Sequence, residues 1–226
     1  MTGQSAEIDW KGGVPIARLF DDPYYSLDNG LDETRHVFLA GNDLPARFGG
    51  DFRIAELGFG TGLNFLVTWA AWETAGKPGA LTFTSFEAFP MPHDAMAEAV
   101  AHFPQIAPFA KIMLANWQAG DGPTALGEGL TLDVILGDAR VTVPEWQGRA
   151  DAWYLDGFSP AKNPQLWEPS LIRAVGHRTK PQGTAATYSA AGHVRRALED
   201  AGFTVTRAPG FGRKRHMTTA RMTHAD

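Results

Sequence analysis

Asp51-Phe52-Arg53-Ile54-Ala55-Glu56-Leu57-Gly58-Phe59-Gly60-Thr61-Gly62-Leu63-Asn64-Phe65 is the stretch on which the fold turns. An apolar strand over 51–57 ends beside a carboxylate, glycines follow at alternate positions, and a helix over 62–75 begins at once. Glycine permits a sharp turn and a close approach of backbone to ligand. Outward from this unit the pattern repeats. Residues 81–87 alternate as a second strand, and 92–103 read as a helix that begins with proline and an acidic residue. Residues 130–136 and 150–155 are apolar strands. The spans 170–178, 183–188, 190–201 and 203–207 continue as helix, strand, helix, strand, with a last strand near 217–222. Upstream, 7–19 read as a hairpin about Lys11-Gly12-Gly13, and 32–39 as a helix. Alternating strands and helices predict an α/β fold with a doubly wound, mostly parallel sheet. One domain over 1–226 is expected, with 1–50 an N-terminal hairpin and helix elaboration and 51–226 a Rossmann-like core.

The loop reads E-x-G-x-G-x-G. It lacks the dinucleotide spacing G-x-G-x-x-G, in which a helix N-terminus receives a pyrophosphate. A carboxylate at Glu56 would repel a pyrophosphate. It tolerates a cationic amino-acid group, such as the methionine amine of S-adenosylmethionine or the nearby sulfonium. Glu87 ends the next strand and is expected to accept hydrogen bonds from ribose hydroxyls. Asp138 follows 130–136, where it could meet an adenine amino group. Strand ends of this kind line the ligand crevice of open α/β sheets. Helix capping or turn formation is the alternative for Glu56 and Asp138.

The strand over 150–155 delivers Asp156-Gly157-Phe158-Ser159-Pro160 to the same sheet edge. An aromatic ring suits stacking on a base, and a carboxylate suits an incoming amine. Asp156 could hold N–H groups, direct a nitrogen lone pair at a methyl donor, or receive a proton. The alternative is a turn aspartate that caps 161–167.

Composition excludes several classes. The chain has 226 residues, 44% of them hydrophobic, which suffices for a sizeable core. It has no apolar run long enough for a membrane span, and its N-terminus does not read as a secretory signal. With no cysteine there are no disulfides and no thiolate zinc sites. His36, His93, His102, His177, His193, His216 and His224 are scattered without metal-ligand spacing, so no metal is expected. Net charge is −5, but residues from 151 onward carry 11 Lys+Arg against 6 Asp+Glu, and the remainder 9 against 19. A basic face for a nucleic acid, or chance clustering on a solvated surface, would produce this asymmetry.

Longer motifs carry a resemblance. Asp21-Asp22-Pro23-Tyr24-Tyr25-Ser26 and Asn29-Gly30-Leu31-Asp32-Glu33-Thr34-Arg35-His36-Val37-Phe38 form the first. The glycine loop, Leu155-Asp156-Gly157-Phe158-Ser159-Pro160-Ala161-Lys162-Asn163-Pro164 and Gly210-Phe211-Gly212-Arg213-Lys214-Arg215-His216-Met217 follow. In this order they resemble the MnmC/MnmD tRNA methyltransferases. Phe86-Glu87-Ala88-Phe89-Pro90 departs slightly, since relatives tend to have a longer side chain after the acid. The resemblance implies a Rossmann-like class I S-adenosylmethionine-dependent methyltransferase. It implies methylation of 5-aminomethyl-2-thiouridine at the tRNA wobble position, in the cytoplasm. Asp156 matches the catalytic aspartate. Glu56, Gly58, Phe59, Gly60, Glu87, Asp138 and Tyr25 form the expected cofactor set. Phe158, Lys162, Arg213, Lys214 and Arg215 form the expected tRNA set. The chain looks like the stand-alone form without the FAD-dependent oxidoreductase domain, so a separate oxidase or another source would supply the aminomethyl group.

Rival readings are a methyltransferase for a small-molecule or protein amine, an NAD-dependent oxidoreductase and an RNA-binding module with a vestigial cofactor fold. The basic 213–215 run favours RNA over the first. The glycine spacing opposes the second, and the carboxylate set opposes the third.

Overall fold

The computed structural model describes residues 5–26 and 29–223, so His224 lies outside the described residues. Strands β1 (Ile8–Lys11), β2 (Val14–Ala17) and β3 (Asp22–Pro23) form a small antiparallel sheet, followed by α1 (Gly30–Thr34). The core then runs β4 (Asp51–Leu57), α2 (Leu63–Thr74), β5 (Ala80–Glu87), α3 (His93–Ala101), α4 (Ala107–Ala115), β6 (Thr124–Gly127), β7 (Leu130–Leu136) and α5 (Ala139–Glu145). It finishes with β8 (Ala150–Tyr154), α6 (Pro169–His177), β9 (Thr179–Thr187), α7 (Gly192–Asp200), β10 (Phe203–Pro209) and β11 (His216–Met222). The eight-stranded sheet has the order β10-β11-β9-β8-β4-β5-β7-β6. Pairs β9·β8, β8·β4, β4·β5 and β5·β7 are parallel, and the edges close antiparallel.

Helices cover both faces, which is why the central strands are apolar on both sides. Along β4, Ile54 enters a core with Phe65, Trp69 and Trp72 of α2. Its neighbours Ala55 and Leu57 enter the opposite core with Trp153, Ile172 and Leu198. The strand period of two thus divides one segment between two layers.

Three local expectations change. The segment over 32–39 begins earlier, because the Asn29 side chain accepts the Asp32 N–H, and its second half winds as a π turn over Arg35–Leu39. Helix α5 carries β-branched residues and an internal Pro144, which conceal it in the sequence. Its start is fixed instead by the Asp138 side chain, which accepts the Arg140 N–H. Helix α4 and strand β6 fall where the periodicity gave no reading. Among the described residues, no helix is long and apolar enough to cross a membrane.

Candidate active site

Strand β4 lies between β5 and β8, and the chain direction of the sheet diverges there. Ligand crevices open at such a switch point, outside the carboxyl ends of the strands. A cleft of about 1140 Å³ occupies that position. Gly58, Gly60 and Gly62 hold φ of 82°, 54° and 76°, in the left-handed region that favours glycine. A Cβ at Gly58 would stand 3.7 Å from the Cα of Gly157, so bare backbone from β4 and β8 forms the floor. The Tyr24 ring closes over the loop, and a Cβ at Gly60 would meet it at 2.9 Å.

Glu87, at the end of β5, is buried. Its Oε2 accepts the Phe59 and Gly60 N–H groups at 2.9 and 3.0 Å, and its Oε1 accepts the Phe89 N–H at 2.8 Å. Burial pushes its carboxyl up, opposed by these backbone donors. Glu87 lines the cleft and also ties the glycine loop to the second strand.

Glu56 requires a correction. It was expected at the cofactor, but it is fully buried beneath the loop and is not among the residues that line the cleft. The strand period turns its side chain into the layer below, where Ser85 Oγ and Asn64 Nδ2 each donate to it at 2.8 Å. Burial, then the Asp156 charge, hold its carboxyl well above the usual range. Both of these donors are side chains, so it caps no helix.

Asp156 follows β8 and keeps part of its surface in the cleft. Its Oδ2 accepts Asn64 Nδ2 at 2.7 Å. Burial pushes it up to about 7, opposed by the Asn64 and Gly157 N–H groups. It does not cap 161–167, where a short 3₁₀ turn (Pro164–Trp167) has no side-chain cap. Phe158 is already engaged. Its ring stacks on Phe20 with centroids 4.6 Å apart, and its carbonyl accepts Trp167 Nε1 at 2.9 Å.

The remaining expected residues divide. Asp138 lines the cleft, and it also caps α5 and pairs with Arg140 at 2.6 Å, which lowers its pKa. The Tyr25 hydroxyl lies 3.2 and 3.3 Å from the carbonyl oxygens of Ala99 and Gly13 at the cleft wall. Lys162, expected on tRNA, is turned onto Asp21 and Asp22 at 3.3 and 3.5 Å. Lys214 pairs with Glu33 at 2.7 Å and sits over the Tyr188 ring. Arg213 lines the cleft and Arg215 does not; among the described residues neither forms an ion pair. Sequence reasoning gave no role to Asn64, Thr34, Glu33 or Tyr188. A signal existed for the first: Asn64 and Thr68 are polar residues one turn apart in the otherwise apolar stretch 63–72, and both are buried.

The charge balance of the cleft identifies what it suits. Of the cations that line it, Arg18, Arg140, Lys162 and Lys214 are each paired with a carboxylate, and Arg213 has no such pair among the described residues. Glu87 and Asp156 form no ion pair among the described residues. Such a floor disfavours a pyrophosphate and accommodates a cationic ligand, as the sulfonium of S-adenosylmethionine is.

Comparison with known proteins agrees. A family model described as S-adenosyl-L-methionine-dependent methyltransferase matches residues 104–223. The chain is 45% identical over 225 residues to the tRNA 5-methylaminomethyl-2-thiouridine biosynthesis bifunctional protein MnmC of Pseudomonas paraeruginosa strain PA7, covering 95% of this chain and 34% of that one. For the protein of the same name from Chromobacterium violaceum the identity is 42%, over 96% and 34%. The chain thus spans about a third of the length of the curated relatives it matches. The crystal structure of MNMC2 from Aquifex aeolicus superposes with a TM-score of 0.75 at 27% identity, covering 99% of this chain and 72% of that one. With more than half of its length matched by the family model, the chain belongs to the S-adenosyl-L-methionine-dependent methyltransferases.

Proposed function

We propose that this chain methylates the amine of 5-aminomethyl-2-thiouridine at the tRNA wobble position, giving 5-methylaminomethyl-2-thiouridine. The observation that carries this reading is the Asp156 carboxylate. It faces the cleft without an ion-pair partner among the described residues, as an incoming amine requires, in a chain 45% identical to a protein named for biosynthesis of that nucleoside.

S-adenosylmethionine supplies an electrophilic methyl group on a sulfonium. Gly58, Phe59 and Gly60 would hold it through their backbone, and Glu87 keeps that loop in shape by accepting the Phe59 and Gly60 N–H groups. Glu56 acts from below through Asn64. The acceptor amine arrives mostly protonated, as alkyl amines are near neutral pH. Asp156 attracts it, holds N–H groups and takes up a proton, freeing the lone pair for in-line attack. Its proton affinity near pH 7 suits that exchange. Arg213 and Arg215 contact phosphates, and the Phe20–Phe158 stack borders the entry for the base. The enzyme works in the cytoplasm without a metal. Another enzyme or source supplies the aminomethyl group.

Nucleoside mass spectrometry tests the reading. Metal-stripped protein with S-adenosylmethionine should convert tRNA that carries the aminomethyl group and leave the carboxymethylaminomethyl form unchanged. Preference for a free small amine or a protein lysine over tRNA would overturn it.

A further inference from the structure

Asn64 is the second residue of α2, directly after the glycine loop. Its side-chain nitrogen donates to two carboxylates at once, Glu56 Oε1 at 2.8 Å and Asp156 Oδ2 at 2.7 Å. Its Oδ1 accepts the Thr34 hydroxyl at 2.9 Å, and its backbone carbonyl accepts the Thr68 hydroxyl at 2.7 Å. Asn64, Thr34, Glu56 and Thr68 are all buried. The amide therefore has one workable orientation. A flipped amide would set its oxygen against the Asp156 carboxylate.

We propose that Asn64 is the positioning residue for methyl transfer: locked by Thr34 and by buried Glu56, it aims the Asp156 carboxylate into the cleft and favours its ionised form. This rests on the proposed function only in taking an amine as acceptor.

The physical argument is one of charge. Two carboxylates share one amide, and one of them lies wholly below the cleft surface. Two neighbouring anions repel when one of them is fully buried, so one proton stays on the pair. Glu56 is the more desolvated, receives only neutral donors and holds its carboxyl well above the usual range. The negative charge therefore resides on Asp156, which reaches the cleft. An N–H directed at a carboxylate stabilises the charged form. The other groups around Asp156 do not replace this bond. Glu33 on α1 opposes its ionisation, and Lys214 between β10 and β11 favours it but is paired to Glu33. Tyr188 after β9 has its hydroxyl pushed up by burial and by the charges of Asp156, Asp22 and Glu33, so it stays neutral.

The titration of Asp156 tests this without any tRNA. In protein labelled with carboxyl-¹³C aspartate, the Asp156 signal is assigned by its loss in Asp156→Asn. It should titrate near 7 in the unmodified protein. In Asn64→Ala the midpoint should rise by about one pH unit or more, as expected when a hydrogen bond to a charged group is lost. Thr34→Val should raise it in the same direction by less, because only the lock on the amide is gone. Asn64→Ser, which keeps one donor, should fall between Asn64→Ala and the unmodified protein. The acidic limb of kcat should move with the midpoint, while affinity for S-adenosylmethionine stays close to normal. If Asn64→Ala does not fold, Thr34→Val decides. An unmoved Asp156 midpoint in the folded variants overturns the proposal, even with tRNA methylation intact. Failure of the unmodified protein to methylate tRNA overturns only the substrate reading.

Discussion

The Lys214 ammonium lies 2.7 Å from a Glu33 carboxylate oxygen, so the middle residue of the basic 213–215 run is turned onto the protein itself. Its neighbours Arg213 and Arg215 form no such pair among the described residues. Phosphate contacts release counterions and give affinity a steep salt dependence. Arg213→Ala with Arg215→Ala should weaken tRNA binding and flatten the salt slope by roughly one unit per arginine. Lys214→Ala should leave the slope nearly unchanged and raise the pH at which activity appears, because Lys214 favours ionised Asp156. Filter binding over a salt series checks this. A slope lost with Lys214→Ala alone would mean that the pair opens on tRNA.

Glu87 receives three backbone N–H groups, two of them from the glycine loop. Glu87→Gln replaces one acceptor oxygen by a donor and leaves at least one buried N–H without a partner, at about 1–3 kcal/mol. Calorimetry should show weaker S-adenosylmethionine binding by a similar amount. Unchanged affinity with a lowered Tm would reduce Glu87 to a structural clasp.

Asp156→Ala should reduce single-turnover methylation by about 100- to 10,000-fold while S-adenosylmethionine still binds. Asp156→Asn separates positioning from proton uptake: a mild defect indicates positioning, a severe one proton transfer. Near-normal rates in Asp156→Ala would remove it from the mechanism.

The same aspartate makes stability depend on pH. Its native-state pKa is raised from 3.8 to about 7. Between those values the native state binds more protons than the unfolded chain, so stability falls as pH rises through the window and levels off above it. Asp156→Asn removes this penalty. Its Tm should gain on the unmodified protein from about pH 4 to pH 8. Parallel Tm curves across that range would count against the raised proton affinity.

Trp167 and Trp153 are both buried, but only Trp167 Nε1 has an acceptor, the Phe158 carbonyl at 2.9 Å. Trp153 Nε1 finds none among the described residues. Tryptophan to phenylalanine removes the same atoms at each site. Trp167→Phe should therefore cost about 1 kcal/mol more than Trp153→Phe and slow methylation by loosening the 156–158 turn. Equal losses in urea melts would contradict this.

The sequence by itself determined most of the succession of elements, but not α4, β6 or α5. The strand Asp51–Leu57 and the strand Leu130–Leu136 lie where their apolar runs predict, and the helix between Gly62 and Ala75 follows its glycine loop. These features are local: side-chain periodicity and the positive φ of glycine act within a few residues. Asp156 was legible for the same reason, as the first polar residue past an apolar strand. The tertiary structure alone decided which carboxylates reach the cleft and which cations are free. Glu56 near the end of β4 and Asp156 just past β8 both sit at the carboxyl ends of apolar strands, yet one is buried below the loop and the other opens into the cleft. Lys214 meets a partner 181 residues away, and Asn64 joins strand ends 8 and 92 residues distant. The pairings over 92 and 181 residues depend on packing over the whole sheet, and no short window of sequence contains both members.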